Sequence, residues 1–505
     1  MMNSQSGQAL PMAILALAIG SLVVAPFLGY ASSDLIGSRV YGEAIARQSA
    51  CDAGVEHVIW SLTRSSLAEQ FTEPGDEVTY QLDETLNGVI TSVTVTANAI
   101  GGSTFAGDIT NTAIDTLEFD TADCYEPSII NVSGNIYAIA YRGTSADGFV
   151  KTVSIAADGQ IANSVIDTLE FDPADGYEPS IKLVSGNVYA IAYRGTSADG
   201  FIKTVSIAAN GDIGNSVIDT LEYDTADGYE PSIINVSGTV YAIAYRGTSA
   251  DGFVKTVSIA ANGDIGNSVI DTLEYDTANG YEPNIIYVSG IYYAIAYRGT
   301  SADGFLKTVS IAANGDIGNS VIDTLEFDPA DCYEPSIINV SGNIFTIAYR
   351  STTNNGRLKT VSIAANGDIG NSVIDTYTFD SYCYEPRIIN ISNDIYVIAY
   401  RGPSNRGKLT TISIAANGDI AGSVTDTMQF DTSSCYEPVI INTSGNIYAI
   451  AYRGPSNDGF VKTVEIAKSG GAAAYEIVAT AGDRTIRAFV NTDNTTATIV
   501  SWQIE

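Results

Sequence analysis

YEPSIINVSGNIYAIAYRGTSADGFVKTVSIAADGQIANSVIDTLEFD, residues 125–172, holds four short runs rich in Ile, Val, Tyr and Phe, parted by Gly, Asn, Asp and Ser. The runs are PSIINVSG (127–134), NIYAIAYRG (135–143), GFVKTVSIAA (148–157) and IANSVIDTLEFD (161–172). Ser-Gly-Asn, Ser-Ala-Asp-Gly and Ala-Asp-Gly between them are turn chemistry, so the segment reads as four antiparallel strands. In the second run Ile136, Ala138 and Ala140 point one way and Tyr137, Ile139 and Tyr141 the other. A small face and a large face therefore sit back to back.

The same unit recurs along the chain. Tyr-Glu-Pro begins at 125, 177, 229, 281, 333, 384 and 436, at spacings of 52, 52, 52, 52, 51 and 52. Seven copies of a four-stranded unit predict a seven-bladed β-propeller. The single short spacing comes from FDSYCYEP, where the preceding copy has FDPADCYEP, and so falls in a loop between blades. A fourth-strand sequence, ITNTAIDTLEFD (109–120), precedes the first Tyr-Glu-Pro, and the last copy stops after its third strand near Ala467. The two remainders make one blade, so 109–120 is expected to pair with 459–467 and close the ring.

The expected domains are an N-terminal helical segment (1–67), β strands (68–107), the propeller (108–470) and C-terminal strands (471–505). No charged side chain occurs from Met1 to Ser33, and ALPMAILALAIGSLVVAPFLG (9–29) would rise roughly 31 Å as a helix, enough to cross a bilayer core. Val55, Val58, Ile59 and Leu62 continue at helical spacing. VTYQLDETLNGVITSVTVTANAI (78–100) and YEIVATAGDRTIRAFVNTDNTTATIVSWQIE (475–505) both alternate apolar and polar residues, and are expected to share one sheet packed on the helix.

Gly7-Gln8-Ala9-Leu10 ahead of the apolar run, followed by ARQSACDAGVEHVIWSL (46–62), resembles the N-terminus of PilX-type minor type IV pilins and related pseudopilins. That resemblance implies cleavage between Gly7 and Gln8, with Met12 standing where major pilins carry glutamate. It also implies an α+β pilin-like domain into which the propeller is inserted. Its partners would be the membrane, through the helix, and other pilin subunits.

With 24 Lys and Arg against 58 Asp and Glu, the formal charge is −34, which repels phosphate backbones and argues against a nucleic-acid partner. One histidine, His57, leaves little room for Ser/His/Asp or multi-histidine metal chemistry.

Each copy carries the Glu of Tyr-Glu-Pro (Glu126, Glu178, Glu230, Glu282, Glu334, Glu385, Glu437) and an Arg after its second strand (Arg142, Arg194, Arg246, Arg298, Arg350, Arg401, Arg453). Two readings stand: ion pairs that fix the blade rim, or, with tyrosines such as Tyr125 and Tyr177, repeated sugar-binding sites on one propeller face. Asp120 and Asp123 with Glu126 could hold Ca²⁺ or simply form a turn, and no other cofactor is expected. Cys124, Cys332, Cys383 and Cys435 each precede Tyr-Glu-Pro in adjacent blades. They are either disulfides, Cys332 with Cys383 and Cys435 with Cys124, or free thiols, or metal ligands.

These features together predict a non-enzymatic, extracytoplasmic protein, membrane-anchored or filament-associated, that displays its propeller for binding or adhesion to a surface glycan or protein ligand. A membrane-tethered propeller hydrolase is the rival, marked by an acidic residue of raised pKa in the central pore. A structural envelope spacer is the third reading.

Overall fold

A computed structural model describes residues 35–64, 67–71, 75–82, 85, 88–99, 106–468, 473–492 and 497–504. Gly7, Gln8 and the apolar run 9–29 lie outside them. Among the described residues no helix is long and apolar enough to cross a membrane.

The chain forms two compact units, one from Thr104–Ser469 and one from its two flanks, Met1–Ser103 and Gly470–Glu505. In the flanking unit, strands Glu77–Gln81, Ser92–Ala99, Ala473–Ala481, Arg484–Thr492 and Ala497–Ile504 make one antiparallel sheet in that spatial order. Helix α1, Leu35–Arg64, buries Cys51, Val55, Val58 and Leu62 with Val93, Val95, Ile477 and Ala479 of the sheet. Gly54 permits this approach, because a Cβ there would meet Thr91, Ala479 and Val93 side chains at 3.0–3.2 Å. Cys51 is a packing residue whose thiol donates to the Arg484 carbonyl at 3.4 Å. His57 Nδ1 is 3.1 Å from the Tyr80 hydroxyl.

The larger unit consists of seven four-stranded antiparallel sheets. In blade 1 the strands are Tyr125–Ser133, Ile136–Arg142, Gly148–Ser154 and Asp167–Asp172. The first strand of each blade lies against that of the next, and the first strand of blade 7 (Tyr436–Ser444) against that of blade 1, so the ring is closed. Asp115–Asp120 pairs antiparallel with Gly459–Glu465 as the outer strand of blade 7. The ends of the array meet there, with the Gly107 N–H donating to the Ala467 carbonyl at 2.8 Å.

The fourth strand is shorter than expected. Residues 161–166 are irregular: Ile161 bridges Ile155, the Ala162 and Ile166 N–H groups donate to the Ser154 and Thr152 carbonyls at 2.9 and 2.7 Å, and the Ile161 N–H is taken by Asp115 of the preceding outer strand at 2.8 Å. Between blades, Ala138 and Ala140 receive Tyr189, Ile191 and Tyr193 of the next blade, so small and large faces interlock around the ring.

Two polar staples recur at every blade boundary. On the outer strand Asp120 accepts from the Tyr141 hydroxyl and, at 2.8 Å, from Lys151 Nζ of the next blade. At the other end the Thr152 hydroxyl donates to the Gly211 carbonyl one blade on, at 2.6 Å. Gly107 fills that glycine position for blade 7, accepting from Thr411 at 2.6 Å. Gly107-Asp108-Ile109 copies the Gly211-Asp212-Ile213 turn, a signal the strand pattern alone passes over.

Blade 6 keeps the first staple by other means. Lys408 stands where blades 1–4 and 7 carry Phe149 or its equivalents and blade 5 carries Arg357, Thr410 replaces the usual lysine, and the displaced ammonium still reaches Asp380.

Candidate functional site

Tyr-Glu-Pro opens the first strand of every blade and the arginine closes the second, so the hairpin brings the two ends together, with Tyr125 paired to Arg142. All seven glutamates adopt positive φ, between 52° and 55°. That conformation costs a non-glycine residue about 1–2 kcal/mol, so local interactions must hold it. Each Glu N–H donates to Oε2 of the preceding blade's glutamate at 2.7–2.9 Å, and Glu126 donates to Glu437 to complete the circle. The same Oε2 accepts from Nε of its own blade's arginine at 3.0–3.4 Å.

Outside this circle runs a second one of stacked side chains. Each guanidinium lies 3.9–4.2 Å from the ring centre of its own blade's tyrosine and 4.5–4.9 Å from that of the next, with Arg453 reaching back to Tyr125. Such cation–π contacts contribute about 0.5–1 kcal/mol each when partly exposed. The arginine side chains keep 15–20% of their surface open. Every expected Tyr, Glu and Arg is thus brought into one annulus, and the glutamates are engaged with protein on Oε2.

The seven arginines are not equivalent. In blades 5–7 Nη1 donates to Asn354, Asn405 and Asn457 at 3.1–3.4 Å. Ala146, Ala198, Ala250 and Ala302 stand at that place in blades 1–4, and there Nη1 of Arg142, Arg194, Arg246 and Arg298 has no hydrogen-bond acceptor among the described residues.

The glutamates and six of the prolines after them line a central cavity of about 300 Å³, together with Ser128, Ser180, Ser232, Asn284, Arg387 and Val439. Burial, then repulsion from Glu126 and Glu230, pushes the Glu178 carboxyl up to about 7 against the pull of Arg194. Burial also raises Glu282 and Glu385, each opposed by its own arginine.

The four array cysteines are free, fully buried thiols, the second of the three readings the sequence left open. Each belongs to a different inter-blade apolar cluster, so no two share a contact that could become a disulfide. Asp120 is likewise withdrawn from Ca²⁺ binding, since its carboxylate is held by Tyr141 and by the ammonium of Lys151, which would repel a cation. Among the described residues no group of three or more His, Cys, Asp or Glu is placed to hold a metal ion.

No family model and no curated protein matches the chain. Among solved structures it is similar to the BP39L lectin from Burkholderia pseudomallei, at 12% identity over 75% of this chain and 100% of that one, with a TM-score of 0.46. It is also similar to a putative 6-phosphogluconolactonase from Bacteroides uniformis, at 11% identity over 60% and 85% of the two chains, with a TM-score of 0.45. A mutant of AofleA from Arthrobotrys oligospora aligns at 12% identity over 66% and 95%, with a TM-score of 0.39.

Proposed function

We propose that this is a non-enzymatic cell-surface or filament-associated protein, minor pilin-like in its flanks, whose propeller binds glycans for adhesion. The observation that carries the reading is the set of four partly exposed arginines in blades 1–4. Each is stacked between two tyrosines and keeps Nη1 donors that no protein group accepts. Planar donors beside aromatic faces suit a sugar's hydroxyls and its apolar C–H face. Four equal sites on one ring gain by multivalency what each lacks in affinity. The helix packed on a sheet built from both flanks supports the pilin-like reading, and the apolar run 9–29 supports membrane insertion before any assembly.

The hydrolase reading has the raised Glu178 in its favour. Against it, that carboxylate already accepts from the Glu230 N–H and Arg194, and all six other blades repeat the group. No single acid is set apart for general acid catalysis.

A glycan array probed with the full chain in mild detergent tests the proposal, alongside a variant carrying Ala→Asn at 146, 198, 250 and 302. Those asparagines would give the four arginines the acceptor that blades 5–7 already have, at positive-φ positions that asparagine tolerates. Specific binding that the variant loses supports the reading. Folded protein that binds no glycan overturns it.

A further inference from the structure

Residue 387 breaks the sevenfold pattern inside the channel. Three positions after each Tyr, the first strand presents Ser128, Ser180, Ser232, Asn284 and Ser336 in blades 1–5, and Val439 in blade 7. Blade 6 presents Arg387, the one cation lining the cavity. Its single hydrogen bond to protein runs from Nη1 to the neighbouring Pro386 carbonyl at 3.3 Å. Among the described residues no carboxylate lies within 4.0 Å of it. The seven ring glutamates are each held by a ring arginine, so Arg387 is one positive charge in excess. Its side chain is open to solvent within the channel, yet the surrounding protein lowers its pKa, against the pull of Glu334, Glu385, Glu282 and Glu437.

The lining also holds the seven glutamates, each engaged on Oε2 by a ring arginine, and among its neutral side chains three leave donors free. Ser128 Oγ accepts the N–H of Ile181 at 3.4 Å, Ser232 Oγ that of Ile285 at 3.3 Å, and Asn284 Oδ1 that of Ile337 at 2.9 Å. Each of these oxygens already accepts one hydrogen bond, and the two hydroxyl protons and the amide NH₂ have no protein acceptor among the described residues. Between those engaged carboxylates, free neutral donors and a guanidinium that no carboxylate takes up are the complement of an oxyanion. One surplus charge, with glutamates close by, favours a monoanion over a phosphate carrying nearly two charges. The cavity is at the lower end of ligand-pocket sizes, about 300–1,000 Å³.

We propose that the central channel binds a small monoanionic carboxylate, its carboxyl group gripped by Arg387 of blade 6, with Ser128, Ser232 and Asn284 of blades 1, 3 and 4 as further donors lining the same channel. The site is independent of the outer tyrosine–arginine ring, so the two proposals stand or fall separately.

The test is titration calorimetry on the full chain in low-chloride buffer, with acetate, D-glucuronate, inorganic phosphate and glucose as separate titrants. Arg387→Ser, which installs the residue four other blades carry, is titrated beside it. Should that variant not fold, Arg387→Gln serves the same comparison. The expected result is saturable binding of acetate or glucuronate at millimolar or tighter affinity, weakened at least tenfold in the variant, with no response to glucose. Equal carboxylate binding in the variant overturns the proposal. So does phosphate binding in place of both carboxylates, or no binding of any anion to folded wild-type protein.

Discussion

The backbone N–H of Glu126 donates to Oε2 of Glu437 at 2.9 Å, joining residues 311 positions apart. It is the last of seven such links, and it joins blade 7 to blade 1. The other six join neighbouring copies along the chain, whereas this one exists only when the whole array has closed.

Truncating Glu437 to Ala should therefore destabilise the propeller by roughly 1–3 kcal/mol, the cost of leaving the half-buried Glu126 N–H unpaired. Glu437→Gln keeps an acceptor oxygen and should lose less. Urea denaturation followed by tyrosine fluorescence measures both, and equal stability of the Ala variant and wild type would show that the link contributes nothing.

Stability should peak in mildly acid solution. For Asp120 and its counterparts Asp172, Asp276, Asp328, Asp380 and Asp431, burial opposes ionisation, but bonds from lysine and tyrosine outweigh it and hold the carboxyls below their ordinary value. Their stabilisation is present above the unfolded pKa of about 3.9 and is lost as pH falls through the lower folded values. Glu178 has the opposite sign: with its folded pKa near 7, it costs stability progressively as pH rises from about 4.3. Urea midpoints should be higher at about pH 5 than at about pH 7, and should collapse below about pH 3. A midpoint that climbs steadily to neutrality would contradict this.

Tyr223 and Tyr275 bury hydroxyls that have no hydrogen-bond partner among the described residues, at a position where the other five blades carry Phe119, Phe171, Phe327, Phe379 or Phe430. Removing an unsatisfied buried hydroxyl removes a desolvation cost of about 1–3 kcal/mol. Tyr223→Phe and Tyr275→Phe should each be neutral to stabilising by about 1 kcal/mol, read as a rise in thermal midpoint. A loss of stability in either would mean that the hydroxyl makes a favourable contact.

All four array thiols are buried, which pushes their pKa values well above the ordinary range. In native protein they should resist iodoacetamide for hours, and in denaturant without reductant all four, together with Cys51, should be alkylated. A mass deficit of two hydrogens per pair in the denatured sample would restore the disulfide reading.

The residues of the two staples and of the Tyr-Glu-Arg ring are visible in the sequence as sevenfold repeats, but their partners are not. Glu126 and Arg142 could be read as a pair because one hairpin joins them. That the same carboxylate also serves the next blade's backbone depends on a register between sheets that no local pattern encodes. For the cysteines the sequence left disulfides, free thiols and metal ligation open, and the choice rested on tertiary structure: the four lie in separate inter-blade clusters, since sequence equivalence does not bring them into contact.

By itself the sequence determined the blade, the number of blades and the strand that closes them, because alternation, turn chemistry and a 52-residue period are local properties of the chain. Arg387 among serines, and Ala146 where later blades have asparagine, stand in the sequence too, but the repeat pattern did not single them out. Only the tertiary structure decided what those differences mean. An unpaired donor is defined by what surrounds it, and the walls of this channel and ring come from seven separate segments that meet only when the circle is complete.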